Sequence, residues 1–161
     1  MAILIAYYSR AGENYFGGSY RRIPVGNTRR VAEQLASLTG GDLLELRQAH
    51  PYSDDYRTCV AQARADWQQS VRPELLGLPK DLSGYDRIYL GYPNYCGTMP
   101  MAVYTFLEHY DFTGKLICPS APTRAAASLR RSGTSAKPHR GPPSPVALPS
   151  TAATWTRPHR P

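Results

Sequence analysis

The chain has 161 residues, 42% of them hydrophobic, and carries 19 Lys and Arg against 12 Asp and Glu for a net charge of +7. A single domain of this length can bury roughly two-thirds of its unfolded surface. No apolar run reaches the ~18 residues of a membrane span, no basic region precedes the apolar N-terminal stretch as a secretory signal requires, and three cysteines without CxxC spacing argue against a disulfide framework or a zinc site, so a cytoplasmic, metal-free protein is expected.

The first element, "AILIAYY", is apolar on both faces, as a central parallel strand is. Some fifteen residues that fit neither strand nor helix follow. "GNTRRVAEQLASLTG" then places Val31, Leu35 and Leu38 at helical spacing, opens on a polar cap and closes at Gly40. "DLLELRQ" reads as a short strand, and "DYRTCVAQARADWQQS" as a helix with Tyr56, Val60, Ala63 and Trp67 on one face. "DRIYLGYP" is a strand, "MPMAVYTFLEHY" a helix and "GKLICP" a fourth strand. This alternation predicts an α/β domain over 1–119, a doubly wound parallel sheet with helices on both faces.

At Ser120 the composition changes abruptly. Residues 1–119 hold 12 of the basic residues and all 12 acidic ones, so the excess charge belongs to residues 120–161. Of those 42 residues, 37 are Pro, Ala, Arg, Ser, Thr, Gly or His, and eight are proline. So few large apolar side chains predict disorder. Two origins fit: a natural basic tail that binds something acidic, or a segment translated out of frame, since GC-rich DNA in the wrong register yields these residues in bulk. The sharpness of the change favours a frame change after Cys118-Pro119.

In a doubly wound sheet, ligands sit beyond the carboxyl ends of the strands, so the loops after the first and third strands are the candidates. The first ends in Gly26-Asn27-Thr28 at a helix start. Free backbone N–H groups and the helix dipole favour an anion there; Gly26 permits close approach, and Ser9 can reach the same point from the strand end. Ordinary capping explains Asn and Thr equally well. The second loop, "YPNYCGTMP", offers flat or soft surface in Tyr92, Tyr95 and Met99 and polar contacts in Asn94 and Thr98, which suits a planar, polar-edged heterocycle such as a flavin or a base. A Tyr-rich surface turn is the alternative.

"IAYYSR…GNTRRVAEQLA" resembles the FMN phosphate loop of flavodoxins, and "GYDRIYLGYPNYCGTMPMAVYTFLEHYDFTGKLICP" is similar to the middle of bacterial flavodoxin-like proteins. The resemblance covers Met1 to about Pro119. It implies a flavodoxin-like fold of strand order 2-1-3-4-(5) that binds FMN noncovalently and transfers electrons with a redox partner protein or small acceptor. Carried over by position, Ser9, Arg10, Gly26, Asn27 and Thr28 would hold the phosphate. Pro93, Asn94, Tyr95, Gly97, Thr98 and Met99 would line the ribityl chain and ring, with Tyr95 nearest the ring. No catalytic residue and no metal ligand is implied.

Two departures stand out. The phosphate turn is interrupted by "AGENYFGGSYRRIPV", whose Tyr15, Phe16 and Tyr20 are candidates for a lid turning at Gly17-Gly18. A plain exposed insertion is the alternative. After "KLICP", the third flavin loop, fifth strand and last helix are not recognisable, which would leave "GKLICP" as an apolar sheet edge. Two further readings of function remain open: an FMN-dependent NAD(P)H:quinone-type reductase, suggested because residues 1–119 are neutral where carrier flavodoxins are acidic, and a non-enzymatic module whose basic tail binds polyanions.

Overall fold

The computed structural model describes residues 2–120. Beyond Ser120 the expected disordered or out-of-frame tail lies outside the described residues. Strand β1 (Ile3–Tyr7) is central: Leu4, Ile5, Ala6, Tyr7 and the following Tyr8 are all buried, which is why the segment is apolar on both faces. It pairs in parallel with β4 (Asp42–Glu45) on one side and β7 (Arg87–Gly91) on the other, and β7 pairs in parallel with β8 (Leu116–Ser120). The four-stranded sheet runs β4-β1-β7-β8. Counted along the sheet strands alone this is 2-1-3-4, and no described strand adds a fifth.

Three helices connect these strands: α1 (Asn27–Thr39), α2 (Tyr56–Gln68) and α3 (Met101–His109). None is long and apolar enough to cross a membrane. The larger core packs Leu4, Ala6, Ile88 and Leu90 of the sheet, with Tyr8 and Leu46 just beyond its strands, against Ala102, Val103 and Phe106 of α3. The smaller core, Ile5, Tyr7 and Ala32, lies on the other face under α1.

The buried faces of two helices match their periodicity only in part: Leu35 packs against the smaller core and Ala63 is buried, as predicted, while other positions differ. In α1 the buried residues are Thr28 and Ala32, while Val31 is exposed and Leu38 is 84% exposed. Small residues face the sheet because helix and strand approach closely there: a Cβ on Gly91 would stand 3.1 Å from Thr28 Cγ2. In α2, Cys59 and Ala63 are buried, whereas Trp67 is exposed and Tyr56 and Val60 only half-buried.

The interrupting segment is a β-hairpin of its own, β2 (Gly12–Phe16) paired with β3 (Ser19–Ile23). Gly17 and Gly18 make its turn with φ of 53° and 108°, a conformation that suits glycine. The segment read as one strand, "DLLELRQ", divides at the buried Leu46: β4 stays in the main sheet, and β5 (Arg47–Gln48) pairs with β6 (Leu75–Leu76) in a separate two-stranded ribbon.

Candidate functional site

The β1–α1 connection returns to the sheet at Gly26, which is buried and extended (φ −64°, ψ 147°) just before α1. A Cβ at this position would lie 2.2 Å from Ser9 Oγ and 2.6 Å from the Arg10 carbonyl oxygen, so no larger residue fits. Gly26 brings no side chain to cap α1. Ser9, from the far end of the loop, supplies that function: the Arg29 N–H donates to its Oγ at 3.0 Å. Among the described residues the N–H groups of Asn27 and Thr28 have no partner, and the Asn27 side chain is exposed beside them. The two ends of the interrupted loop thus meet at one helix N-terminus, where the dipole and unpaired donors favour an anion. Thr28 is buried against the notch at Gly91, and a void of about 20 Å³ lies beside it between α1 and the sheet.

Arg10 joins this turn only through its main chain. Its Nη1 donates to the Glu13 carbonyl, and its Nη2 donates to the carbonyls of Ser53 (2.8 Å) and Asp54 (2.7 Å). The guanidinium therefore ties the hairpin to the loop before α2, away from the α1 start. The Glu13 N–H donates to the Asp54 carbonyl, and the Tyr56 N–H donates to Glu13 Oε2, completing the junction. Tyr15, Tyr20 and Tyr56 cluster with ring centroids 5.4–6.1 Å apart, and Arg57 lies over Tyr20. The proposed lid aromatics Tyr15 and Tyr20 thus pack on the start of α2.

The second loop follows β7. Because β7 neighbours β1, the two loops emerge side by side: the Tyr8 N–H donates to the Gly91 carbonyl at 2.9 Å. Tyr95 and Thr98 exchange two backbone hydrogen bonds of 2.9 Å around a tight turn at Cys96 (φ 52°) and Gly97 (φ 82°). This turn presents Asn94, Cys96 and Gly97 to solvent and leaves Pro93, Thr98 and Met99 half-buried. The Thr98 and Tyr104 hydroxyls are 2.8 Å apart. The Tyr95 ring packs inward, edge-on to Tyr8 at 6.0 Å, and its hydroxyl lies 3.9 Å from Cys59 Sγ. Burial, with Tyr8 and Cys59 adding, pushes the Tyr95 phenol up. Burial likewise raises Tyr8 and the Cys59 thiol, against a lowering influence of Arg10 on both.

The structure brings Ser9, Gly26, Asn27 and Thr28 together and sets the 93–99 loop beside them through Gly91. Three residues that sequence reasoning did not select also shape the site: Tyr8 and Cys59, which hold Tyr95, and Gly91, which admits Thr28. Gly91 was detectable as a glycine inside an apolar strand pattern, a mark of close backbone approach. Nothing in the sequence joins Cys59 to Tyr95.

A family model described as Flavodoxin matches residues 2–144, running on past Pro119. A protein from Bacteroides eggerthii described as a flavoprotein is 27% identical, with a TM-score of 0.61 over 74% of this chain and 69% of its own. Its counterpart from Bacteroides uniformis is 28% identical, with a TM-score of 0.60 over 74% and 70%. A flavoprotein from Lactobacillus acidophilus, solved in complex with FMN, shares the fold at 18% identity, with a TM-score of 0.57 over 80% of this chain and 97% of that one. No curated protein matches the sequence.

Proposed function

The chain belongs to the flavodoxin family, and from that membership we propose that it binds FMN noncovalently at the paired loops and transfers electrons with a redox partner. The observation that carries the reading is the Gly26 cradle: two distant loop ends converge on an α1 N-terminus with unpaired amides, and the aromatic loop lies on the adjacent strand. Ser9, Gly26, Asn27 and Thr28, with the Arg10 main chain, would hold the phosphate. Pro93, Asn94, Tyr95, Gly97, Thr98 and Met99 would line the ribityl chain and ring. Tyr95 contributes its ring and not its hydroxyl, which is engaged inward.

FMN would supply reversible one- and two-electron chemistry. The chain's own residues bind the anion, orient the ring and shield part of it from water. The test compares FMN with riboflavin, which lacks the phosphate. Asn27→Ala should weaken FMN by about 10-fold, the scale of one hydrogen bond to a charged group, and leave riboflavin within about twofold. Equal losses for the two ligands would remove the phosphate assignment.

A further inference from the structure

The neutrality of residues 1–119 conceals a division of charge. Residues 10–30 hold five of the 12 basic residues, Arg10, Arg21, Arg22, Arg29 and Arg30, and one of the 12 acidic ones, Glu13, for a net charge of +4. The remainder of residues 1–119 therefore carries −4. The positive segment consists of the hairpin and the first turn of α1, which flank the Gly26 cradle.

This charge is presented to solvent. Arg21 and Arg22 are exposed on β3, and Arg29 and Arg30 are exposed on α1. Arg29 pairs with Glu33 at 2.8 Å, but among the described residues Arg21, Arg22 and Arg30 form no ion pair. Glu13 uses Oε2 to accept from the Tyr56 N–H. Two arginines in the first turn of α1, with no acidic residue there, also oppose the positive end of the helix dipole. Negative charge brought from outside would relieve both strains. Aromatic surface accompanies the arginines: Arg57 lies 5.9 Å over Tyr20, itself 46% exposed, and Arg21 lies 5.9 Å over Phe16. Arginine and tyrosine together are the usual anchors of a protein–protein contact.

We propose that the hairpin and the first turn of α1 form the docking surface for an acidic redox protein. The inference rests on the electron-transfer reading above and adds the partner's polarity and its seat. The ends of the hairpin, Gly12 and Ile23, are each three residues from the cradle residues Ser9 and Gly26. Three residues span at most about 11 Å, so a partner seated on the hairpin lies beside the flavin site. The positive segment steers an acidic face to that seat, and the negative remainder of the domain turns it away from others. The same remainder disfavours an extended polyanion such as nucleic acid, whose phosphates continue past the patch.

The test titrates the full chain, with FMN supplied, into a fluorescently labelled plant-type ferredoxin, an acidic carrier, at low salt. Both proteins are kept oxidised, so anisotropy reads docking alone. Arg21→Glu combined with Arg22→Glu should weaken ferredoxin binding at least about tenfold, since like charges then face each other, and leave FMN affinity within about twofold. Arg30→Glu, which gives α1 the acidic first turn it lacks, should weaken it about threefold and decides the matter should the hairpin variant not fold. No ferredoxin binding, or binding unchanged by these substitutions, as docking through residues 120–161 would give, overturns the proposal. So does an oligothymidylate that binds more tightly than ferredoxin and is lost in the same variants, which would make the patch a nucleic-acid surface. Self-association of the unchanged chain that the same variants abolish, seen by sedimentation, would make a second copy the occupant and equally overturns it. Failure of the unchanged chain to bind FMN overturns the function reading itself and is read separately from the ferredoxin titration.

Discussion

Gly26 carries more constraint than any other residue of the site. Its missing Cβ leaves room for Ser9 Oγ and the Arg10 carbonyl. Neither neighbour can retreat easily, since one is main chain and the other caps α1. Gly26→Ala should destabilise the fold by about 1–3 kcal/mol, as overpacking does, measured by urea unfolding. Arg10 separates anchoring from phosphate binding. Arg10→Ala removes three bonds to backbone carbonyls and should cost about 1–3 kcal/mol while leaving the FMN-to-riboflavin affinity ratio unchanged; a collapse of that ratio would return the guanidinium to the phosphate. The buried phenols give a pH signature. Burial raises Tyr8 and Tyr95 above the ordinary value of 10.0, so both stay neutral in the folded chain after the unfolded chain begins to ionise. Their contribution to stability is fully present below pH ~10 and declines as pH rises further. Urea midpoints should therefore be level up to pH ~10 and fall above it, and the fall should be shallower in Tyr8→Phe.

Among the elements, the hairpin is what separates the two ends of the β1–α1 connection. Its turn was readable, because Gly17-Gly18 is a strong local signal, but its docking was not. Tyr15 and Tyr20 meet Tyr56 across some forty residues of sequence. Tyr56→Ala should accordingly quicken amide exchange across residues 12–23 and leave β1 and β7 protected; unchanged exchange in the hairpin would show that Arg10 and Glu13 alone hold it. The main strands and helices were legible because each is long enough to show its period. The β5–β6 ribbon was not, since two residues a side carry no periodicity. The buried faces of α1 and α2 were legible only in part: Leu35 and Ala63 face inward as their spacing predicts, but hydrophobic spacing marks large residues, whereas Thr28, Ala32 and Cys59 also face inward where the helices lie close. The candidate residues were legible as two loops. Their convergence follows from β1 and β7 being neighbours, and the inward turn of Tyr95 depends on Cys59 and Tyr8, which no local pattern links to it.

At the scale of the molecule, the sheet is unevenly covered by the described residues. Among the described residues the outer edge of β8 pairs with no strand, Leu116 is 53% exposed, and Val31, Leu38 and Leu43 are exposed as well. Such an edge favours association between chains, so sedimentation should detect self-association that Leu116→Lys reduces. The coding DNA after the Pro119 codon, read in its other frames, decides whether a Gly- and Ser-rich loop, an amphipathic helix and an apolar strand were displaced there; absence of that pattern would identify residues 120–161 as a natural basic tail. The central claim is narrower and turns on the Gly26 cradle at the start of α1. Its most direct measurement is equilibrium binding of FMN and riboflavin to the full chain, stripped of flavin, in the same buffer. The account predicts one FMN per chain, bound at least about tenfold more tightly than riboflavin, the equivalent of one charge-assisted hydrogen bond. Equal affinity for the two, or no binding of either, would contradict it.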